Sequence, residues 1–305
     1  MITAVELGLI YAVMAIGVYL TFRILDFPDL TVDGSFTTGA AVAAVGIING
    51  VPPLLATVAA FAAGLVAGLV TGLLHTKGNI NGLLAGILTQ IGLYSINLRI
   101  MGRANLPLLR ETTLITPLRE AGLTGTAVSV GIFLLVALAV LAVVVWFLHT
   151  DVGLAMRATG DNPDMIRSFG VNTDTQKLLG LALSNGLVAL SGALIAQFQG
   201  FADIGMGIGL IVAGLASVII GQAILGRSSI AVAASAVVLG SVLYRVVIQV
   251  ALLAGLNPND MKLISAILVI IALVLPQWKG FSRMGGVMRR RFAAAAESAA
   301  IEKED

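Results

Sequence analysis

The sequence predicts an all-α polytopic membrane protein, with eight firm transmembrane helices, one short or re-entrant helix and a small helix in a loop between spans. Three observations predict it. Hydrophobic side chains make up 58% of the 305 residues and mean hydropathy is +1.01, whereas a soluble domain is a little under half apolar. Charged residues are only 11%, about half the usual share. The apolar residues also fall into runs near the ~20 that carry a helix across a bilayer. A soluble core could not bury this much apolar surface, so lipid is the solvent over most of the chain. A cytosolic enzyme, a secreted scaffold and a nucleic-acid binder are excluded. With no Cys there are neither disulfides nor thiolate metal sites.

The elements follow in order. The run 2–22 begins with Glu6 and no Lys or Arg among its first residues, so it reads as a retained helix rather than a cleavable signal. The stretch 34–50 is small, apolar and short, and either crosses or dips in and returns. Spans follow at 54–74, 80–98, 126–148, 178–199, 209–226, 229–253 and 261–276. Gly64, Gly68 and Gly72, then Gly82 and Gly86, then Gly192, Ala196 and Gly200, recur at four-residue spacing, which in lipid lets helix backbones approach closely. One transmembrane domain, 1–280, is expected, with a polar tail at 281–305.

Orientation follows the distribution of Lys and Arg. Lys279, Arg283, Arg289, Arg290 and Arg291 place the C-terminus in the cytoplasm. Counting spans backwards puts the loop 149–177, with Arg157, Arg167 and Lys177, on the same side. The loop 99–125 is the exception, an outside segment with four Arg that is long enough to fold over the mouth of the protein. Full crossing by 34–50 puts the N-terminus outside, the orientation favoured here; re-entry puts it inside.

The cytoplasmic loop contains a helix whose ends are written into it. Asn162 is a good N-cap, Pro163 suits the first helical position and Asp164 suits the positive end of the dipole. Arg167 lies near the C-terminal end and Gly170 fits the left-handed stop. The helix 163–169 thus carries both charge signs and an apolar side of Met165, Ile166 and Phe169, which suits docking of a soluble partner.

Polar groups at membrane depth are costly and often mark pathways. Arg245, with Tyr244 and Gln249, sits mid-span in 229–253, either to meet a carboxylate of the solute or to hold helices together. Gln90 and Asn97 lie on 80–98, and Asn185 and Gln222 on later spans. The segment 26–38 is densest, with Asp33, Ser35 and Thr37 beside the short helix. Asp33 or Ser35 can cap that helix, and a capped break of this kind lines the site in many transporters.

The run Gly153-x3-Arg157-Ala158-x-Gly160-x-Asn162, followed by Gly170-Val171-Asn172, resembles the coupling loop of ABC-importer permeases of the branched-chain amino acid and simple-sugar superfamily. The likeness extends to Gly8 and Gly17 in the first run, to Asn185-Gly186 and Ser191-Gly192 after the loop, and to Gly214 and Gly221. The segment running from Phe27 through Asp29 and Asp33 to Phe36 is similar to the tryptophan- and tyrosine-type uptake subgroup. The resemblance implies a multi-pass protein of the bacterial inner membrane. It implies a second permease copy, two cytoplasmic ATPases that bind ATP and Mg, and an extracytoplasmic solute-binding protein. The chain itself would need no cofactor, and it has no G-x-x-x-x-G-K-[ST] loop. The competing reading is an ion-coupled secondary transporter. That class needs intramembrane carboxylates, and Glu6 is the only acid inside a firm span.

Overall fold

The computed structural model describes residues 1–255 and 261–274. The first helix, α1 (Ile2–Tyr19), continues through a π-helical turn at Leu20–Ile24. After it come α2 (Thr31–Ile48), α3 (Pro53–Thr76) and α4 (Gly82–Met101). A strand β1 (Asn105–Pro107) and a short α5 (Thr116–Glu120) lead to α6 (Ala127–Leu148), α7 (Asp151–Asp161), α8 (Pro163–Ser168) and α9 (Thr173–Gln199). The chain closes with β2 (Phe201–Asp203), α10 (Leu210–Leu225), α11 (Ile230–Leu253) and α12 (Met261–Val274). Expected residues 275–276 of the last span and the tail 281–305 lie outside the described residues.

Seven helices among the described residues are long and apolar enough to cross a membrane, and α2 is one of them. The segment expected at 209–226 forms a helix of only 16 residues, about 24 Å long. The ten residues before α10 are instead a tiny antiparallel ribbon and an irregular descent: β2 pairs with β1, Leu106 opposite Ala202. That ribbon was not anticipated.

At the centre is α9, which packs against α1, α2 and α3. The small-residue stripes form these seams within one chain. A Cβ on Gly68 would collide with the backbone of Leu181 and Ala182, and one on Gly64 with the Asn185 carbonyl. Backbones in such contact gain dispersion over their whole length, the attraction that remains when both sides are lipid-like. Buried hydroxyls add ties between helices: Ser184 donates to the Gly17 carbonyl at 2.7 Å, Ser191 to that of Ile10 at 2.9 Å and Ser241 to that of Gly8 at 2.8 Å.

The two ends of the bundle differ. At one, Phe27 meets His75 edge-on with ring centres 5.0 Å apart, and α7 lies against the end of α1. At the other, Ile47 clusters with Met101, Leu106 and Ala202, so α2 runs the whole way between them. The segment 99–125 does fold back. Leu114 N–H donates to Gln197 Oε1 at 3.0 Å, and Arg119 Nη2 donates to the Phe198 carbonyl at 3.2 Å. Glu6 is fully buried at this end, where one carboxylate oxygen accepts from Gly125 N–H at 2.9 Å and from the Ser129 hydroxyl. It therefore fastens α1 to the start of α6.

Replacing Gly68 with Leu should force α3 away from α9. The expected cost is at least the ~1–3 kcal/mol of overpacking a filled core, seen as a lower thermal midpoint in detergent, while Gly92→Leu, whose Cβ meets open space, should leave the midpoint unchanged.

Candidate functional site

Three groups of predicted residues emerge, and the structure keeps them apart. The first surrounds the start of α2. Asp33 and Ser35 lie inside that helix rather than capping it, because Asp29 supplies the acceptor for its first turn: Thr31 N–H donates to Asp29 Oδ1 at 2.9 Å. Asp33 caps a different helix. Its carboxylate accepts from Gly209 N–H at 2.7 Å and from Ile211 N–H at 2.9 Å, at the N-terminus of α10. A carboxylate there meets both the unpaired amides of the first turn and the positive end of the helix dipole. The approach is close, since a Cβ on Gly207 would overlap the Asp33 carbonyl.

Beside this cap lies a cavity of about 410 Å³, lined by Asp33, Gly34 and Thr37 of α2, by Gln90, Ser95 and Asn97 of α4, and by neighbouring apolar side chains including Ile204 and Ile208. Asn97 is 1% exposed. Its Nδ2 donates to the Gly34 carbonyl at 3.4 Å, while its Oδ1 has no partner among the described residues. Tyr94, on the rim, is 48% exposed. The cavity is thus a half-open, mostly apolar wall with a few placed polar groups, the usual make-up of a small-molecule site.

Ser35 and Asn185 belong to a network behind that wall. Asn185 Nδ2 donates to Asp29 Oδ2 at 2.6 Å, and Ser35 donates to Asn185 Oδ1 at 2.6 Å. Thr31 and Thr71 share a hydroxyl contact of 2.7 Å at the same place. Asp29, with no exposed surface, is its hub; in the sequence it is one of several polar residues of the segment 26–38, where nothing but its position two residues before Thr31 distinguishes it from Asp26.

The second group is on α11. The Arg245 guanidinium carbon lies 3.6 Å from the centre of the Tyr11 ring, which in turn stacks on Phe36 at 5.8 Å. No carboxylate or carbonyl of the described residues bonds it; it rests on the Tyr11 ring through a cation–π contact, and its Nε is unpartnered among the described residues. Tyr244 is buried with Ala213, Ala216 and Ile248. Together with Gln249, these residues stand outside the cavity under Asp33.

The third group is the loop 149–177, which holds two helices where the sequence suggested one. The unforeseen α7 begins at Thr150, whose hydroxyl accepts from Gly153 N–H at 3.3 Å. It buries Gly153, Met156 and Thr159 on one face, a three-residue spacing that could have revealed it. Gly160 lies against the backbone of Ile24, where a Cβ would overlap the carbonyl. Asn162 then caps α8 as expected, accepting from Met165 N–H at 3.0 Å. The helix ends at Ser168, one residue earlier than expected, and Gly170 takes φ +84°. Arg167 bonds Thr173 at 2.7 Å and pairs with Asp174 at 3.5 Å, tying α8 to α9. None of the α8 residues is buried; Met165 is 49% and the adjacent Phe169 75% exposed.

A multi-pass bundle with a lined cavity and an exposed helix between spans defines a membrane permease. The chain matches the family described as branched-chain amino acid transport system / permease component over residues 1–274, and it belongs to that family, as the loop motif implied. It is 44% identical to the tyrosine transport system permease protein of Clostridioides difficile (strain R20291) over 272 residues, 89% of this chain and 90% of that one. It is 36% identical over 277 residues to uncharacterized protein RP368 of Rickettsia prowazekii (strain Madrid E), 90% of this chain and 96% of that one. Among solved structures, an inward-facing metal-chelate type ABC transporter superposes with a TM-score of 0.51 at 15% identity, covering 91% of this chain and 84% of its own, a likeness of fold.

Removing the cap should be measurable. Asp33→Ala leaves the amides of Gly209 and Ile211 without their acceptor, at an expected ~1–3 kcal/mol, and Asp33→Asn should recover part of it. Faster amide hydrogen exchange confined to 209–213 would locate the loss.

Proposed function

We propose that this chain is the transmembrane subunit of an ABC importer, working as a pair of copies that pass an amino-acid-like solute, with tyrosine as the first candidate. The observation that carries this reading is the α7–α8 pair. Gly160 seats α7 directly on the end of α1, while α8 presents Met165 and Phe169 to the surroundings on a short, doubly anchored helix. An apolar tip on a rigid mount is costly in water and is explained by a partner that covers it. A cleft on a cytoplasmic ATPase is the partner that the family membership suggests. ATP and Mg would be bound there and not on this chain.

The pathway follows from the cavity. Gln90, Asn97, Thr37 and Asp33 face it, and its exposed rim on α4 suits closure by a second copy. Neutral amides let a zwitterion pass without holding it, and selectivity then rests with an extracytoplasmic binding protein. The tyrosine relative supports an aromatic amino acid as cargo.

Sidedness is read from charge. With α8 facing the cytoplasm, the ribbon end faces outside, together with the N-terminus, and α2 crosses fully. In this arrangement α10 is a shortened helix whose N-terminus lies within the membrane, supported by Asp33 in place of water. On this reading the seven long helices, together with the shorter α10 and α12, trace a single alternating path through the bilayer.

Two experiments test the reading. Replacing 162–170 with a flexible linker should abolish ATP-driven tyrosine uptake in proteoliposomes containing the ATPase, with membrane insertion unchanged; accumulation driven by an ion gradient alone, without any ATPase, would overturn it. Arg245→Gln separates the roles of that residue. Loss of carboxylated solute transport with intact assembly marks a solute contact, whereas loss of assembly marks a helix tie through Tyr11.

A further inference from the structure

A second cavity, also about 410 Å³, opens at the α7 end of the bundle, lined by none of the residues of the first. It is built from four elements: Tyr19 and Arg23 at the end of α1, Arg157 and Asp161 on α7, Gln222 on α10, and Arg227 to Ser229 leading into α11. Three guanidinium groups thus face one carboxylate. None of Arg23, Arg157 and Arg227 makes a hydrogen bond or ion pair with another described residue, the pair in that region being Arg167 with Asp174. Partial burial and the neighbouring Arg23 hold the Arg227 guanidinium below its usual value, as expected where positive charge is crowded without compensation.

The cavity also holds one buried acceptor that none of these guanidinium groups reaches. Gln222 is 5% exposed, lines the cavity, and its Oε1 has no partner among the described residues. Asp161, an exposed carboxylate, faces the same space. The helix α11, of 24 residues, points its N-terminus here, and Ser229 takes up only the amide of Val232 at 3.2 Å. A buried amide oxygen without a donor is unfavourable, and an occupant that carries a donor would satisfy it.

We propose that this cavity binds a phosphate ester carrying a hydroxyl or ammonium donor, such as a glycerophosphate group. The phosphate oxygens would take the three guanidinium groups and the free amides at the start of α11, since planar guanidinium forks match phosphate geometry. The donor on the organic part would reach Gln222 Oε1 and Asp161. A cavity of this size exceeds what a bare phosphate fills, and Ile24, Ile230 and Ala233 give it an apolar side. The same chemistry is offered by a phospholipid headgroup and by a soluble glycerol phosphate. Because Arg157 is on α7 and Arg23 on α1, an occupant would brace the seat of α7 on α1.

The test uses the full chain in neutral detergent, with glycerol 3-phosphate and dihexanoyl-phosphatidylglycerol as probes and dihexanoyl-phosphatidylcholine as control. Binding is read by native mass spectrometry and by the shift in thermal midpoint. Saturable binding of either phosphate ester over the control is expected, and the probe that binds identifies a soluble or a lipid source. Arg227→Gln, at an exposed position, should weaken it about tenfold or more, the loss typical of one charge-assisted contact. Gln222→Leu should weaken the esters but leave binding of inorganic phosphate unchanged. Binding of neither ester, or ester binding indifferent to both Arg227→Gln and Arg23→Gln, overturns the proposal.

Discussion

The arrangement depends on how an interrupted backbone is satisfied inside the bundle. Between β2 and α10 the chain descends without regular structure, and the first amides of α10 would be orphaned in a medium that offers little water. Asp33 resolves this by presenting its carboxylate to Gly209 and Ile211. The carboxylate sits at a helix N-terminus, where the dipole favours it, so a group that is usually excluded from such surroundings becomes a structural pin. It also fixes α2 relative to α10, and the main cavity opens where those elements diverge from α4.

Much of the fold was legible. Apolar length located α1, α3, α4, α6, α9 and α11, because in lipid the run of residues is itself the physical requirement. The end signals of α8 were equally readable: Asn162, Pro163 and Gly170 each meet a local backbone need that does not depend on the rest of the protein. What depended on distant contacts was not legible. Asp33 looked like a cap for its own helix and serves another 176 residues away. The Tyr11 ring beneath Arg245, on a helix more than two hundred residues earlier, is likewise invisible in any local pattern. The burial of Asp29 follows from Asn185 in α9, which no local pattern announces.

The candidate residues also sort by chemistry once they are placed. Asp33, Thr37, Gln90 and Asn97 converge on one cavity, whereas Ser35 and Asn185 are committed to the buried Asp29 network. Gln222 turned up in the cationic pocket at the opposite side of α10. Polar residues within spans therefore served three separate ends: lining a space, closing a network and leaving an acceptor open.

The contact between Gly160 and Ile24 has a mechanical consequence. Side chains between two helices can change rotamer and absorb a small displacement, much as a cushion would. Here main chain rests on main chain, with nothing compressible between. A tilt imposed on the outer helix pair would be delivered to α1 nearly undiminished, and the stiffness of that transmission is set by one missing methyl group.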